Sequence, residues 1–170
     1  IVYHYDTHGS MLNLNNTADE FKLQWDQNDM IQHINLGGGG DAFYHYGSDK
    51  ERSRKRIVRN SGEVEERLYL GGMEVFKKFD INGLIVEEIE THHLFDGEQR
   101  LLLVEDVFKG GSTNLPDNTT LFKYQYSNHL GSVGLELDEL GTILSYEEYH
   151  PYGTTAFSAS GKGIKATRKR

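Results

Sequence analysis

Phe79-Asp80-Ile81-Asn82-Gly83-Leu84-Ile85 sets out the pattern of this chain: an aromatic or apolar residue, Asp, two spacers, Gly and an apolar pair. The same order returns in Tyr5-Asp6-Thr7-His8-Gly9 ahead of Met11-Leu12, and in Leu137-Asp138-Glu139-Leu140-Gly141 ahead of Ile143-Leu144. A looser copy, Trp25-Asp26-Gln27-Asn28-Asp29, leads to Met30-Ile31, and Tyr44-His45-Tyr46-Gly47 follows it. Tyr5, Trp25 and Tyr46 are thus spaced by 20 and 21 residues. Asp bonds readily to its own backbone two residues on, and Gly accepts the positive φ that closes a tight hairpin. The unit reads as strand, turn, strand.

The flanks agree. In Phe21-Lys22-Leu23-Gln24-Trp25 and Phe122-Lys123-Tyr124-Gln125-Tyr126 every second side chain is apolar or aromatic, the period of a half-buried strand. Val64–Leu70, Ile85–Thr91, Arg100–Phe108 and Gly134–Asp138 are further strand candidates, while Gly37–Gly40 and Gly110–Asn118 read as loops, the first a flexible connection. The fold class expected is all-β, built of antiparallel hairpin repeats. Each repeat buries its face against its neighbours, so the strip is expected to be part of a larger assembly. Ile1 falls inside a motif, and both ends read as cut points in a longer chain.

Composition narrows the function classes. With 170 residues the chain can hold one domain with a real core. Its 36% of hydrophobic residues is low for a globular protein, and 19 glycines with 10 tyrosines favour turns and strands over helices. A net charge of −8 argues against a general nucleic-acid binder. Cysteine is absent, which removes disulfides, thiolate metal sites and thiol nucleophiles. The longest apolar runs, such as Leu101–Val104, are far short of the ~20 residues of a membrane helix.

One extended stretch carries a family resemblance. Tyr124-Gln125-Tyr126-Ser127-Asn128-His129-Leu130-Gly131-Ser132, then Leu135-Glu136-Leu137-Asp138-Glu139, Ile143-Leu144-Ser145-Tyr146-Glu147-Glu148-Tyr149 and His150-Pro151-Tyr152-Gly153, resembles the RHS repeat-associated core. Upstream, Tyr69-Leu70-Gly71-Gly72-Met73-Glu74-Val75 and His93-Leu94-Phe95-Asp96 with Leu103-Val104-Glu105 are similar to segments of the RHS components of Tc-type insecticidal toxin complexes. The early Tyr-Asp units resemble YD repeats.

The resemblance divides the chain into YD-like repeats over 1–62, an incomplete core segment over 63–161 and a basic, flexible tail over 162–170. It implies a hollow β-shell that encloses or delivers a C-terminal toxin effector, in a secreted or cell-surface bacterial protein. Its partners would be the remainder of the shell, the effector and other toxin-complex subunits, with no nucleic acid and no membrane segment. In complete members a self-cleavage site lies downstream of the Tyr-x-Pro-Tyr-Gly region, beyond Arg170. No catalytic residue is therefore carried onto this chain, which reads as non-enzymatic, without cofactor or metal. Asp6, Gly9, Asp80, Gly83, Asn128, His129, Gly131, Asp138, Gly141, Pro151 and Gly153 are expected to be structural turn formers.

Several side chains are of types that can carry other chemistry. Glu90, His92, His93 and Asp96 are metal-ligand types, but adjacent strand positions point to opposite faces, so His92 and His93 should not converge. His129 or His150 with Asp138 or Glu148 could be drawn as an acid–base pair, against turn and strand-end roles for both histidines. Ser132 lacks a nucleophile elbow, and Gly37–Gly40 lacks the Lys-Ser or Lys-Thr of a phosphate cradle. Arg52, Arg54 and Arg56 alternate, which places them on one strand face, and a second basic run comprises Lys162, Lys165, Arg168, Lys169 and Arg170. Asn15-Asn16-Thr17 and Asn118-Thr119-Thr120 have the form of glycosylation sequons. Tyr124 and Tyr126 offer the alternative of a surface carbohydrate-binding or adhesion β-module, since rings on a wet sheet face are good ligand platforms.

Overall fold

The computed structural model of the chain describes residues 3–13, 22–111, 115–128 and 132–160. Its strands are β1 (Leu23–Trp25), β2 (Ile31–Asn35), β3 (Asp41–Tyr46), β4 (Arg52–Val58), β5 (Val64–Leu70) and β6 (Met73–Phe79). There follow β7 (Ile85–Asp96), β8 (Gln99–Lys109), β9 (Thr119–Ser127), β10 (Val133–Leu137), β11 (Ile143–Tyr149) and β12 (Thr155–Ser160). Among the described residues helical geometry is confined to 3-10 turns, at Gly37–Gly39 and at Gly111. The fold is all-β, as the alternation and the turn repeat predict.

The chain forms two compact units, Ile1–Glu88 and Ile89–Arg170, with the division inside β7. In the first unit β1 to β6 each pair antiparallel with the next strand in sequence. In the second, β8 to β12 do the same. Such a meander needs only local connections.

Each unit has a thin apolar core. Leu23, Ala42 and Val75 are buried in the first, and Ile89, Leu103, Val107 and Leu144 in the second. Burying a side chain of the size of Leu or Val contributes about 1.5–3 kcal/mol. Polar residues share the interior: Asn13, Glu74, Glu87, Thr91, Glu105, Gln125 and Glu136 are buried as well. Alternation explains the mixture. Along β8 the inward side chains Leu103, Glu105 and Val107 are every second residue, and along β9 the outward ones are Phe122, Tyr124 and Tyr126.

The Gly37–Gly40 run differs from the flexible connection expected. It is a closed turn in which Gly39 N donates to Leu36 O and Gly40 N to Gly37 O. Gly40 has φ +92°, and a Cβ built there would lie 2.0 Å from the Val58 carbonyl oxygen. These glycines serve close backbone approach rather than flexibility.

Candidate functional site

One turn geometry, two backbone bonds with the third loop residue left-handed, recurs at seven places among the described residues; the Leu36–Gly40 turn shares the two bonds but has its positive φ at Gly37 and Gly40. The residue that opens the turn donates its N–H to the carbonyl four residues on, and its own carbonyl accepts from the residue three on. This is seen from Asp6, Asp26, Gly47, Arg59, Asp80, Asp138 and His150. It is a three-residue hairpin loop, a type I turn followed by a residue in the left-handed region. Gly9, Gly62, Gly83, Gly141 and Gly153 take that position with φ between 78° and 90°, while Asp29 and Lys50 take it at 59° and 64°.

Where Asp opens the turn, its carboxylate completes it. Oδ1 of Asp6 accepts from His8 N and Ser10 N, that of Asp26 from Asn28 N and Met30 N, that of Asp80 from Asn82 N and Leu84 N. Asp138 Oδ1 accepts likewise from Leu140 N at 2.9 Å and Thr142 N at 2.7 Å. The bonds from Leu84 and Thr142 are the main reason that Asp80 and Asp138 are held below the ordinary aspartate range. Successive turns also touch: His8 Nδ1 lies 3.0 Å from Asp29 Oδ1, and Trp25 Nε1 donates to Met11 O.

The remaining predicted turn residues are placed as follows. Asn128 N donates to Ser132 O, and Asn128 Oδ1 accepts from Ser132 N; His129 and Gly131 lie outside the described residues. Pro151 occupies the second position of the His150–Gly153 turn, where its fixed φ suits a type I geometry. The basic run at Lys162–Arg170 and the sequon at Asn15 also lie outside the described residues. His150 opens its turn through backbone bonds to Thr154 and Gly153.

His92 Nε2 is 3.9 Å from Asp106 Oδ2, whereas His93 Nδ1 is 3.3 Å from Arg100. The two rings have different partners. Among the described residues no three His, Asp or Glu side chains converge as a metal site would require.

Polar ladders cross both units, and sequence reasoning missed them. In the second unit Arg100 Nε donates to Gln125 Oε1 at 2.6 Å, Gln125 Nε2 to Glu136 Oε1 at 2.6 Å, and Ser145 Oγ to Glu136 Oε2 at 2.7 Å. Lys123 pairs with Glu105 at 2.7 Å beside them. In the first unit Arg67 pairs with Glu74 at 2.5 Å, Arg54 and Arg56 share Glu66, and Arg59 reaches Glu65. Such a ladder is favourable only in one register, so it specifies strand alignment as much as it adds stability. The loop alone did not give this register: counting outward from the three-residue loop Glu139–Gly141 sets Glu136 opposite Leu144, and a register shift between Glu136 and Leu137 brings it opposite Ser145.

Arg52 is a correction. A bulge between His45 and Tyr46 shifts the register, so Arg52 lies opposite Tyr46 and joins the face of Tyr44 and Lys55, away from Arg54 and Arg56. Its guanidinium carbon stands 4.9 Å over the Tyr44 ring and 5.9 Å from that of Tyr69.

The recurring turn and the hairpin meander define the class: a repetitive antiparallel β-hairpin protein. Comparison with known proteins gives it relatives. The chain is 28% identical over 116 residues to toxin subunit YenC1 of Yersinia entomophaga, a match that covers 66% of this chain and 12% of that one. It is 29% identical over 130 residues to toxin subunit YenC2 of the same organism, covering 74% and 13%. A crystal structure of TcdB2-TccC3 without its hypervariable C-terminal region superposes with a TM-score of 0.79 at 25% identity, over 94% of this chain and 8% of that one. The TcdB2-TccC3-Cdc42 structure gives 0.77 at 26% identity, over 92% and 8%. No family model matches. In sequence and in fold the chain is similar to the RHS components of Tc-type toxin complexes. It spans about an eighth of the length of the curated relatives it matches.

Proposed function

We propose that this chain is a wall segment of an RHS-repeat toxin subunit, a structural scaffold that helps to enclose or deliver a C-terminal effector and performs no catalysis itself. The observation that carries the reading is the agreement in fold with TcdB2-TccC3 over 94% of the chain, together with sequence similarity to two toxin subunits. The architecture suits the task. A meander of hairpins can be extended without a topological limit, and where an Asp-x-x-Gly turn occurs it closes its hairpin through groups of its own. Under this reading residues 1–62 are YD-like repeats and residues 63–161 part of the RHS-associated core. The partners are the remainder of the shell, the effector and other toxin-complex subunits, and the assembled protein is secreted or held at the cell surface.

Intact-mass spectrometry and size-exclusion chromatography of the whole gene product test it. A cut near the C-terminus, with the released piece co-eluting with the large one, supports enclosure. A whole, uncut product with no enclosed piece contradicts it.

A second reading has one observation in its favour. Phe122, Tyr124 and Tyr126 line the outward face of β9 at 37%, 40% and 55% exposure, an aromatic row of the kind that stacks on sugar rings. Saturable glycan binding that is lost on Tyr124→Ala or Tyr126→Ala would favour a carbohydrate-binding or adhesion module.

A further inference from the structure

Around β4 nearly every cation has an acid of its own. Arg54 and Arg56 share Glu66, Arg59 holds Glu65 at 3.0 Å, Arg67 holds Glu74, Lys77 holds Glu88 at 2.8 Å, and Lys78 holds Glu63 at 3.0 Å. Among the described residues Arg52 and Lys55 are the exceptions within β4. Both lie on the face that carries Tyr44, Tyr69, Arg67 and Phe76.

Arg67 shows what a complete arrangement looks like there. Its guanidinium sits 5.2 Å over the Phe76 ring while its edge binds the Glu74 carboxylate at 2.5 Å. A stacked guanidinium keeps its N–H fork free for a planar acid. Arg52 has the rings of this set, with Tyr44 at 4.9 Å and Tyr69 at 5.9 Å. The carboxylate is missing.

Lys55 sharpens the point. It lies directly opposite Arg67 in the register, a like-charge pairing that costs stability across strands. Partial burial first, then the charges of Arg52 and Arg67, lower the affinity of its amine for a proton, against a smaller opposing influence of Glu65. A half-buried cation beside two others is stabilised by an incoming anion.

We propose that the Tyr44, Arg52, Lys55 and Tyr69 face of the first unit binds an acidic side chain of another polypeptide segment, its carboxylate on Arg52 and Lys55 and its apolar neighbours on the two rings. The acids already bound on this face, Glu65 and Glu74, each sit against a guanidinium, and that of Arg67 is stacked on a ring, so an acidic, aromatic-rich peptide is the matching partner. The site does not depend on the wall reading.

The test is fluorescence anisotropy of a labelled peptide of alternating Glu and Phe with the 170-residue chain at low ionic strength. Saturable binding is expected, weakened about tenfold by either Arg52→Gln or Lys55→Gln and unchanged by Arg54→Gln, whose partner Glu66 is on the opposite face. Peptide should also shift the Tyr44 ring and Lys55 ε-methylene resonances of the unsubstituted chain, a readout that needs no variant. Inorganic phosphate at matched ionic strength should not displace it. Absence of binding, equal loss in Arg54→Gln, unmoved Tyr44 and Lys55 signals, or displacement by phosphate would each overturn the proposal, the last in favour of a phosphoryl site.

Discussion

Replacing Gly141 by Val tests the turn at a point where only the backbone can respond. Gly141 has φ +78°, and a Cβ built there meets nothing within 4 Å. Steric contact with neighbours is therefore absent, and the cost is conformational. A side chain in the left-handed region costs roughly 1–2 kcal/mol, and β-branching places Val at the upper end. Reduced freedom of the unfolded chain returns about 0.4–1 kcal/mol. The net loss expected is about 1 kcal/mol, which for a unit of the size of Ile89–Arg170 lowers Tm by about 4–8 °C. Circular dichroism melting would measure it, with hydrogen exchange over β10 and β11 showing that the loss is local. Gly141→Asn should lose clearly less, because Asn tolerates this region, as Asn118 does here at φ 58°. Unchanged melting and exchange in Gly141→Val would refute the claim that the positive φ matters.

Three further outcomes follow from the same geometry. Gly110→Ala should lose about 3 kcal/mol or more, because its Cβ would stand 1.9 Å from the Leu115 carbonyl oxygen and the backbone must move; a melting temperature near that of the unsubstituted chain would contradict this. Asp80 and Asp138 have lowered folded-state pKa values, so their stabilisation is fully present above the ordinary aspartate value of about 4 and is lost as pH falls through the lower folded value. The double substitution Asp80→Asn with Asp138→Asn should therefore flatten the acid limb of a stability–pH curve, and an unchanged limb would count against it. Glu136→Ala removes the shared acceptor of buried Gln125 and of Ser145, and should cost about 1–3 kcal/mol in urea unfolding. A neutral result there would mean that the ladder does not hold the register.

What could be seen in the sequence was what depends on neighbours along the chain. The Asp-x-x-Gly turns at Asp6, Asp80 and Asp138 were legible because one carboxylate bonds two nearby amides and one glycine takes the positive φ. The turns opened by Gly47 and Arg59 have no Asp at that position, and Lys50 takes the left-handed residue of the first, so only Gly47 and Gly62 hinted at them. The strand segments were legible from alternation, and β5 has the limits Val64–Leu70 that were read from it. The bulge that turns Arg52 away from Arg54 was not, because it depends on the pairing between β3 and β4. The Arg100–Gln125–Glu136–Ser145 ladder joins residues 9 to 25 positions apart and needs the register first.

The most direct test of the account is cryo-electron microscopy of the whole gene product, with this segment traced by its hairpin meander and its Asp-x-x-Gly turns. The account predicts that residues 23–160 lie in the wall of a closed β-shell, in continuous register with strands on either side. A segment that projects from the particle as a separate domain, with no lumen behind it, would contradict the wall reading outright.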